Sequence, residues 1–224
     1  MDKIVEIENL GKAYVQGHEQ VQVLEEINFF ARKGEFIVLL GPSGSGKSTF
    51  LNLVGLLDDS YSGEIRLYGR KLELLGEKEK ASLRLKNIGF IFQFDSLLPE
   101  FTVLENIDMP SRIAGRSDPA RARGLLKRFG LEALADKFPM EISGGEKQRA
   151  AILRALANNP GLLIADEPTG NLDKHNAGIV LDDLKKANSL GAAVLMVTHN
   201  EEFVSYADRV FHLSGGRLES GQKT

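Results

Sequence analysis

Two short stretches carry residues that could handle a phosphate chain. The first is Gly41-Pro42-Ser43-Gly44-Ser45-Gly46-Lys47-Ser48-Thr49. It fits the spacing G-x-x-x-x-G-K-[ST] and lies between an apolar run, EFIVLL, and a stretch with helical periodicity. Glycines let backbone N–H groups turn inward around an anion. The helix behind them adds free N–H groups and the positive end of its dipole. Lys47 is placed to reach the β- and γ-phosphates, Ser48 to ligate Mg2+ and Thr49 to contact the α-phosphate. An ordinary Gly-rich turn would account for the glycines, but not for a lysine and two hydroxyls directly behind them. The second stretch is LLIADEP, Leu162 to Pro168, a buried-strand pattern ending in two acids. Asp166 is expected to hold Mg2+ through water. Glu167, one residue on, is expected to point elsewhere and to polarise an attacking water. Taken alone, this pair also reads as a solvated acidic turn.

Weaker signals lie elsewhere. Ser143-Gly144-Gly145 opens a helical stretch, which makes a second phosphate-friendly helix N-terminus or merely a serine cap with flexible glycines. His199 follows the apolar run AVLMVT, and Gln93 ends IGFIFQ, at strand ends where an α/β sheet meets its ligands. A lone histidine or glutamine would more often be incidental or structural.

The elements that must position these residues can be read from the pattern. KIVEIENL alternates like an edge strand, and IRLYG does so more weakly. FIVLL, IGFIF, LLIAD and AVLMVT are compact and apolar, as strands buried on both faces are. Helical patterns run over Ser48 to Leu57, Pro119 to Phe129, Gly145 to Ala157 and Ala177 to Leu190. Strands alternating with helices predict an α/β core with a mostly parallel sheet. Phe94 to Pro160 offers no convincing buried strand and reads as a helical insert.

The 224 residues are 42% hydrophobic and 26% charged, with net charge −3 and no cysteine. That balance fits a globular chain and argues against a strongly basic nucleic-acid surface. Without cysteine there is no thiolate metal site, disulfide or cysteine nucleophile. The N-terminus, MDKIVEIENL, is too acidic and too poor in apolar residues for a signal peptide. Apolar runs such as AAVLMV fall far short of the ~20 residues that span a bilayer. A cytoplasmic chain is expected, any membrane role coming through a partner.

Taken together, the motifs resemble those of ABC-type ATPase subunits, from end to end of the chain. GPSGSGKST is similar to the family's Walker A loop, and Gln93 stands where its Q-loop glutamine does. ISGGEKQ is similar to its signature, LIADE to its Walker B strand, Gly170-Asn171-Leu172-Asp173 to its D-loop and His199 to its switch histidine. Tyr14, in GKAYVQG, falls where the family stacks an aromatic ring on adenine, although a plain core or surface tyrosine fits it too. The signature departs mildly from the commonest form, with Ile142 before it and Glu146-Lys147 in place of glutamines.

The resemblance implies a P-loop NTPase (RecA-like) core, a small antiparallel β lobe and a helical subdomain. It implies one ATPase domain over residues 1–224, the core lobe being about 1–93 and 161–224 and the helical subdomain about 94–160. It further implies ATP and Mg2+ as ligands, with Gln93 joining Ser48 and Asp166 around the metal. Two subunits pair head to tail in this family, each ATP lying between one phosphate loop and the other subunit's Ser143–Gly145. Asp173 would bridge toward the opposing loop, and His199 would hold the γ-phosphate.

The segment after Gln93, QFDSLLPEFTVLENIDMP, and ADEPTGNLD resemble the lipoprotein-release (LolD)/MacB-like group. That implies an integral membrane permease as partner, docked near Phe94, Leu97, Leu98 and Phe101, though packing of the helical lobe is the plainer explanation for any one of these. It implies a peripheral place on the cytoplasmic face of the inner membrane, with no nucleic acid and no direct membrane insertion. The short stretch after Gly216 fits the same group, with no regulatory domain expected. A signalling or mechanical module of an envelope or division complex, and a soluble ABC ATPase of DNA repair or translation, remain as alternatives.

Overall fold

The computed structural model describes residues 2–17, 19–93 and 97–221. In chain order the strands and helices are β1 (Lys3–Gln16), β2 (Glu19–Arg32), β3 (Phe36–Leu40), α1 (Lys47–Val54), β4 (Ser62–Leu67), β5 (Arg70–Lys71), α2 (Glu77–Asn87), β6 (Ile88–Ile91), α3 (Val103–Ile113), α4 (Pro119–Arg128), α5 (Gly144–Ala155), β7 (Leu162–Asp166), α6 (Lys174–Ser189), β8 (Ala193–Thr198), β9 (Arg209–Ser214) and β10 (Arg217–Gly221).

The four apolar runs read as doubly buried strands, FIVLL, IGFIF, LLIAD and AVLMVT, all become neighbours in one six-stranded sheet of order β10-β9-β3-β8-β7-β6. Its pairings are parallel except for β9 with β10. Because strand side chains alternate between faces, each of these strands feeds two cores. Phe36, Val38 and Leu40 of β3 join Leu163, Ala165, Val194 and Met196 in a core with α4, α5 and α6 residues. Ile37 and Leu39 face the other way, with Leu162, Ile164, Leu195 and Val197, into a core shared with α1 and the second sheet. Each fully buried Val, Leu, Ile, Met or Phe among them contributes on the order of 1.5–3 kcal/mol.

The second sheet is four-stranded and antiparallel, order β2-β1-β4-β5. Between β6 and β7 the regular elements among the described residues are helical. α3 opens with a capping box at Thr102, α4 with the Asp118 carboxylate and Pro119, and α5 with a capping box at Ser143.

The helix limits differ from the periodicity in two instructive places. α1 stops at Val54, before the expected Leu57, with Gly55 packed so closely on Phe90 that a Cβ would stand 2.6 Å from the ring. α6 starts at Lys174 rather than Ala177, because the Asp173 carboxylate accepts the Asn176 N–H at 2.9 Å and caps the helix earlier.

Candidate active site

Parallel pairing brings the C-terminal ends of β3, β8, β7 and β6 to one edge. Leu40 pairs with Thr198, Asp166 with Val197 and Ile91 with Ala165. The loops leaving those ends therefore meet, although they follow strands that end as far apart in sequence as Leu40 and Thr198. Ser43, Gly44, Gly46, Lys47, Ser48, Thr49, Gln93, Asp166, Glu167 and His199, with Val23 from β2, line one cavity of about 450 Å³.

The loop between β3 and α1 depends on glycine at two points. Gly46, the cap of α1, has φ +101, and a side chain there would press on Val23 and Leu24. Gly41 runs so close to β9 that a Cβ would sit 2.3 Å from the Leu213 carbonyl oxygen. Lys47 is buried, and its Nζ donates to the carbonyl oxygens of Gly41 (2.7 Å) and Pro42 (2.9 Å). The ammonium is thus folded over its own loop, satisfied by neutral acceptors that a phosphate would displace. Ser45 turns away from the cavity, with its hydroxyl buried and unpartnered among the described residues.

Across the cavity, Ser48 Oγ donates to Asp166 Oδ2 at 3.0 Å. Burial pushes the Asp166 carboxyl above the usual range; the Ser48 hydroxyl works against this, the Glu167 charge adds to it and Lys47 opposes it. Glu167 corrects a sequence expectation. Simple strand alternation points it away from Asp166, yet both line the same cavity. The strand ends at Asp166, and Glu167 takes a left-handed turn at φ +46, held by its N–H on the Val197 carbonyl (3.0 Å) and by the Gly170 N–H on its own carbonyl (3.1 Å). Such a conformation costs about 1–3 kcal/mol in a non-glycine residue and is typical of sites where a side chain must be aimed. The Glu167 carboxylate meets His199 Nδ1 at 3.0–3.1 Å, and the imidazole is largely exposed.

A hydroxyl, a carboxylate and the Gln93 amide are the groups that could hold a cation here. Among the described residues no group of three or more His, Cys, Asp or Glu side chains could hold a metal ion by itself. Mg2+ commonly takes one or two protein groups, keeps several waters and completes its shell with phosphate oxygens. The donor set fits an ion that arrives with a nucleotide.

Other expected site residues lie outside the cavity lining. Tyr14 stands partly exposed on β1, its hydroxyl 3.3 Å from Asp58 and its ring 4.7 Å from the Lys12 ammonium. Ser143, Gly144 and Asp173 are exposed; Gly145 is buried against Asn176. Of the residues expected to dock a partner, Phe94 falls outside the described residues. Leu97 is buried in the larger core, so it packs the helices instead of presenting surface. Leu98 is exposed and Phe101 half-buried, on a segment tied to α3 by the buried Asn106, whose amide bonds the Leu98, Phe101 and Thr102 carbonyls.

A feature that sequence reading missed lies at the other end of α3. Leu57, Ile88, Phe90, Phe92, Pro110 and Ile113 help line an apolar groove of about 620 Å³ between α2, β6 and α3. Its exposed aliphatic and aromatic side chains are scattered singly along the sequence, so only the fold reveals them as one surface.

Residues 24–170 match the family described as ABC transporter. The chain belongs to that family. It is 42% identical over 221 residues to the lipoprotein-releasing system ATP-binding protein LolD of Zymomonas mobilis, covering 97% of this chain and 95% of that protein. It is 47% identical over 219 residues to the protein of the same name from Pseudomonas fluorescens, covering 96% of each. Its fold matches a solved dimeric post-hydrolysis state of the ATP-binding cassette MJ0796 bound to ADP and Pi, with TM-score 0.88 and 37% identity over 98% of this chain and 99% of that one. The α/β fold is thus that of a P-loop NTPase, and the protein is an ATP-hydrolysing cassette of the ABC family. No helix among the described residues is long and apolar enough to cross a membrane.

Proposed function

We propose that this protein is the ATP-hydrolysing subunit of a lipoprotein-releasing transport system. It works as a head-to-tail pair bound to membrane permease subunits on the cytoplasmic face of the inner membrane. The observation that carries the reading is the division of the motif residues. Lys47, Ser48, Gln93, Asp166, Glu167 and His199 converge on one cavity, while Ser143, Gly144, Gly145 and Asp173 lie outside it. A second copy would bring those residues to the open side of the cavity. Identity of 42–47% to LolD proteins along nearly the whole chain supports the substrate class.

In this reading the loop from Gly41 to Gly46 wraps the phosphates with backbone N–H groups, and Lys47 leaves its carbonyl partners for the β- and γ-phosphates. The ammonium thereby exchanges neutral acceptors for anionic ones, which adds charge–charge attraction to its hydrogen bonds. Thr49 serves the α-phosphate and Tyr14 the adenine. Ser48, Gln93 and, through water, Asp166 would hold Mg2+, which would supply positive charge against the phosphates. Glu167 accepts a proton from the attacking water, its carboxylate oriented by the left-handed turn. His199 steadies the γ-phosphate, and the partner copy's signature closes the site. Little covalent help is needed beyond positioning and charge.

The chain acts as one ATPase domain, with a core lobe of about 1–93 and 161–224 and a helical subdomain of about 94–160. A short helix of the permease docks near Leu98 and Phe101, with the apolar groove as a further contact surface; a few apolar anchors are typical of such contacts. The test is co-purification. The tagged subunit, expressed in its source cell and extracted with detergent, is expected to bring down integral membrane subunits, and lipoprotein is expected to raise ATP turnover of the complex. Recovery of the subunit without any membrane protein would count against the reading.

A further inference from the structure

Phe92 and Gln93 are adjacent in sequence but face different cavities. The Phe92 ring lines the apolar groove, and the Gln93 amide lines the nucleotide cavity. Between them runs a backbone that has left the β6 ladder, so its carbonyl groups need other partners. Both have one. Gln148 Nε2 donates to the Phe92 carbonyl at 2.9 Å, and Asn171 Nδ2 donates to the Gln93 carbonyl at 3.2 Å.

The two donors come from two different parts of the chain. Gln148 sits one turn into α5, the helix that Ser143 caps, and is only 3% exposed. A buried amide is costly unless bonded, so this contact is a strong constraint between α5 and the β6 end. Asn171 lies in the loop between Glu167 and Asp173. In the same loop a Cβ on Gly170 would come within 2.9 Å of the Gln93 side-chain nitrogen, so this loop also packs on the glutamine directly. The next residue of α5, Arg149, bonds Asp183 at 2.6 Å in α6, the helix that follows the Asn171 loop.

We infer that Gln148 and Asn171 are positioning residues that hold the Phe92–Gln93 backbone as one rigid step between groove and nucleotide cavity. A displacement of Gln93 by nucleotide then moves Phe92 in the groove, and the signature helix and the Asn171 loop move with it. The inference rests on the functional reading only in taking the cavity as the nucleotide site; it requires no permease.

The chain has no tryptophan, so Phe92→Trp installs a single indole in the groove wall. The purified full-length protein carrying Phe92→Trp is titrated with the β,γ-imido analogue of ATP plus Mg2+, and indole emission is read. A nucleotide-dependent shift in emission is expected. Adding Asn171→Asp, or Gln148→Met, removes one donor at nearly constant volume. Each is expected to cut the shift by more than half while changing nucleotide affinity by less than about threefold. Asn171 is exposed, so its variant separates loss of the bond from misfolding. Circular dichroism and melting of both variants accompany the measurement.

An unchanged shift in both variants would overturn the inference. So would equal loss of shift and affinity, which would mark the residues as mere scaffold, and so would a silent indole in the parent. Failure of the functional reading looks different: membrane subunits would fail to co-purify while the emission response persisted.

Discussion

Helices α1 and α5 both begin at a glycine-rich turn, and they finish their first turns in opposite ways. α1 is capped by Gly46 with no side-chain acceptor, and the residues of its first turn line the nucleotide cavity. α5 is closed on itself. Ser143 Oγ accepts from the Glu146 N–H at 3.3 Å, and Glu146 Oε2 accepts from both the Ser143 N–H and hydroxyl at 2.8 Å. The first four N–H groups of a helix lack intrahelical partners. Withholding a cap leaves them for an anion; supplying a capping box uses some of them up and puts a carboxylate at the helix tip. In the proposed function, one helix end is the phosphate site of the single chain, and the other meets a nucleotide only when that of a partner competes with Glu146.

That contrast is broken most severely at α1. Lys47→Ala is expected to abolish measurable ATP turnover and to weaken nucleotide binding, since the phosphate charge loses its fixed partner. Steady-state phosphate release and equilibrium binding measure the two effects; near wild-type turnover would refute the assignment of the loop.

At α5 the expected damage is of another kind. Ser143→Arg leaves binding to the single chain nearly intact and collapses turnover, because an arginine does not fit a closed interface. Equal loss of both would put the signature in its own chain's site. Phe101→Asp probes the proposed docking contact instead. A central interface anchor is worth ~2 kcal/mol or more, and a buried charge adds to that, so assembly with membrane subunits is expected to fail while the isolated protein folds and binds ATP. Misfolding, read by circular dichroism, would make Phe101 part of the core.

The smallest effect sharpens the comparison. Glu146→Gln removes the charge at the α5 tip but keeps an acceptor for Ser143. A carboxylate near a helix N-terminus is worth about 0.3–1 kcal/mol, so a slightly lower melting temperature is expected, with ATP-dependent pairing made easier. The Ser143 N–H and then its hydroxyl hold the Glu146 carboxyl below the usual range. A depressed folded pKa contributes stability that is present above the unfolded value and fades as pH falls through the folded one. Melting curves of the two proteins should therefore keep their gap in mild acid and converge only as pH falls below the ordinary glutamate value of 4.5; a gap that stays constant at lower pH would contradict the capping account.

Much of this was legible in the residues. The four apolar runs became β3, β6, β7 and β8 because strands buried on both faces have no polar side to conceal. The phosphate loop, Asp166 and His199 could be placed because each directly follows such a run. Other parts resisted for physical reasons. α2, EKEKASLRLKN, is polar nearly all round and buries only Leu83, so it lacks a stripe to read. α3 carries Pro110 in its interior, which ordinarily argues against a helix. β2 packs against β1 through repeated register shifts that blur its alternation. The aim of Glu167 depends on one backbone angle, and the bonds from Gln148 and Asn171 end on carbonyl groups that no side-chain pattern encodes.

The central claim is that the open helix end of one chain and the closed one of another share a nucleotide. Glu167→Gln tests it most directly. The variant is expected to keep ATP binding and to slow hydrolysis by roughly 10²-fold or more, the contribution of a positioned base. Nucleotide held between two chains should then trap the pair. On size exclusion with ATP and Mg2+ the account predicts a dimer peak that vanishes with ADP; a strictly monomeric variant in micromolar ATP-bound samples would contradict it.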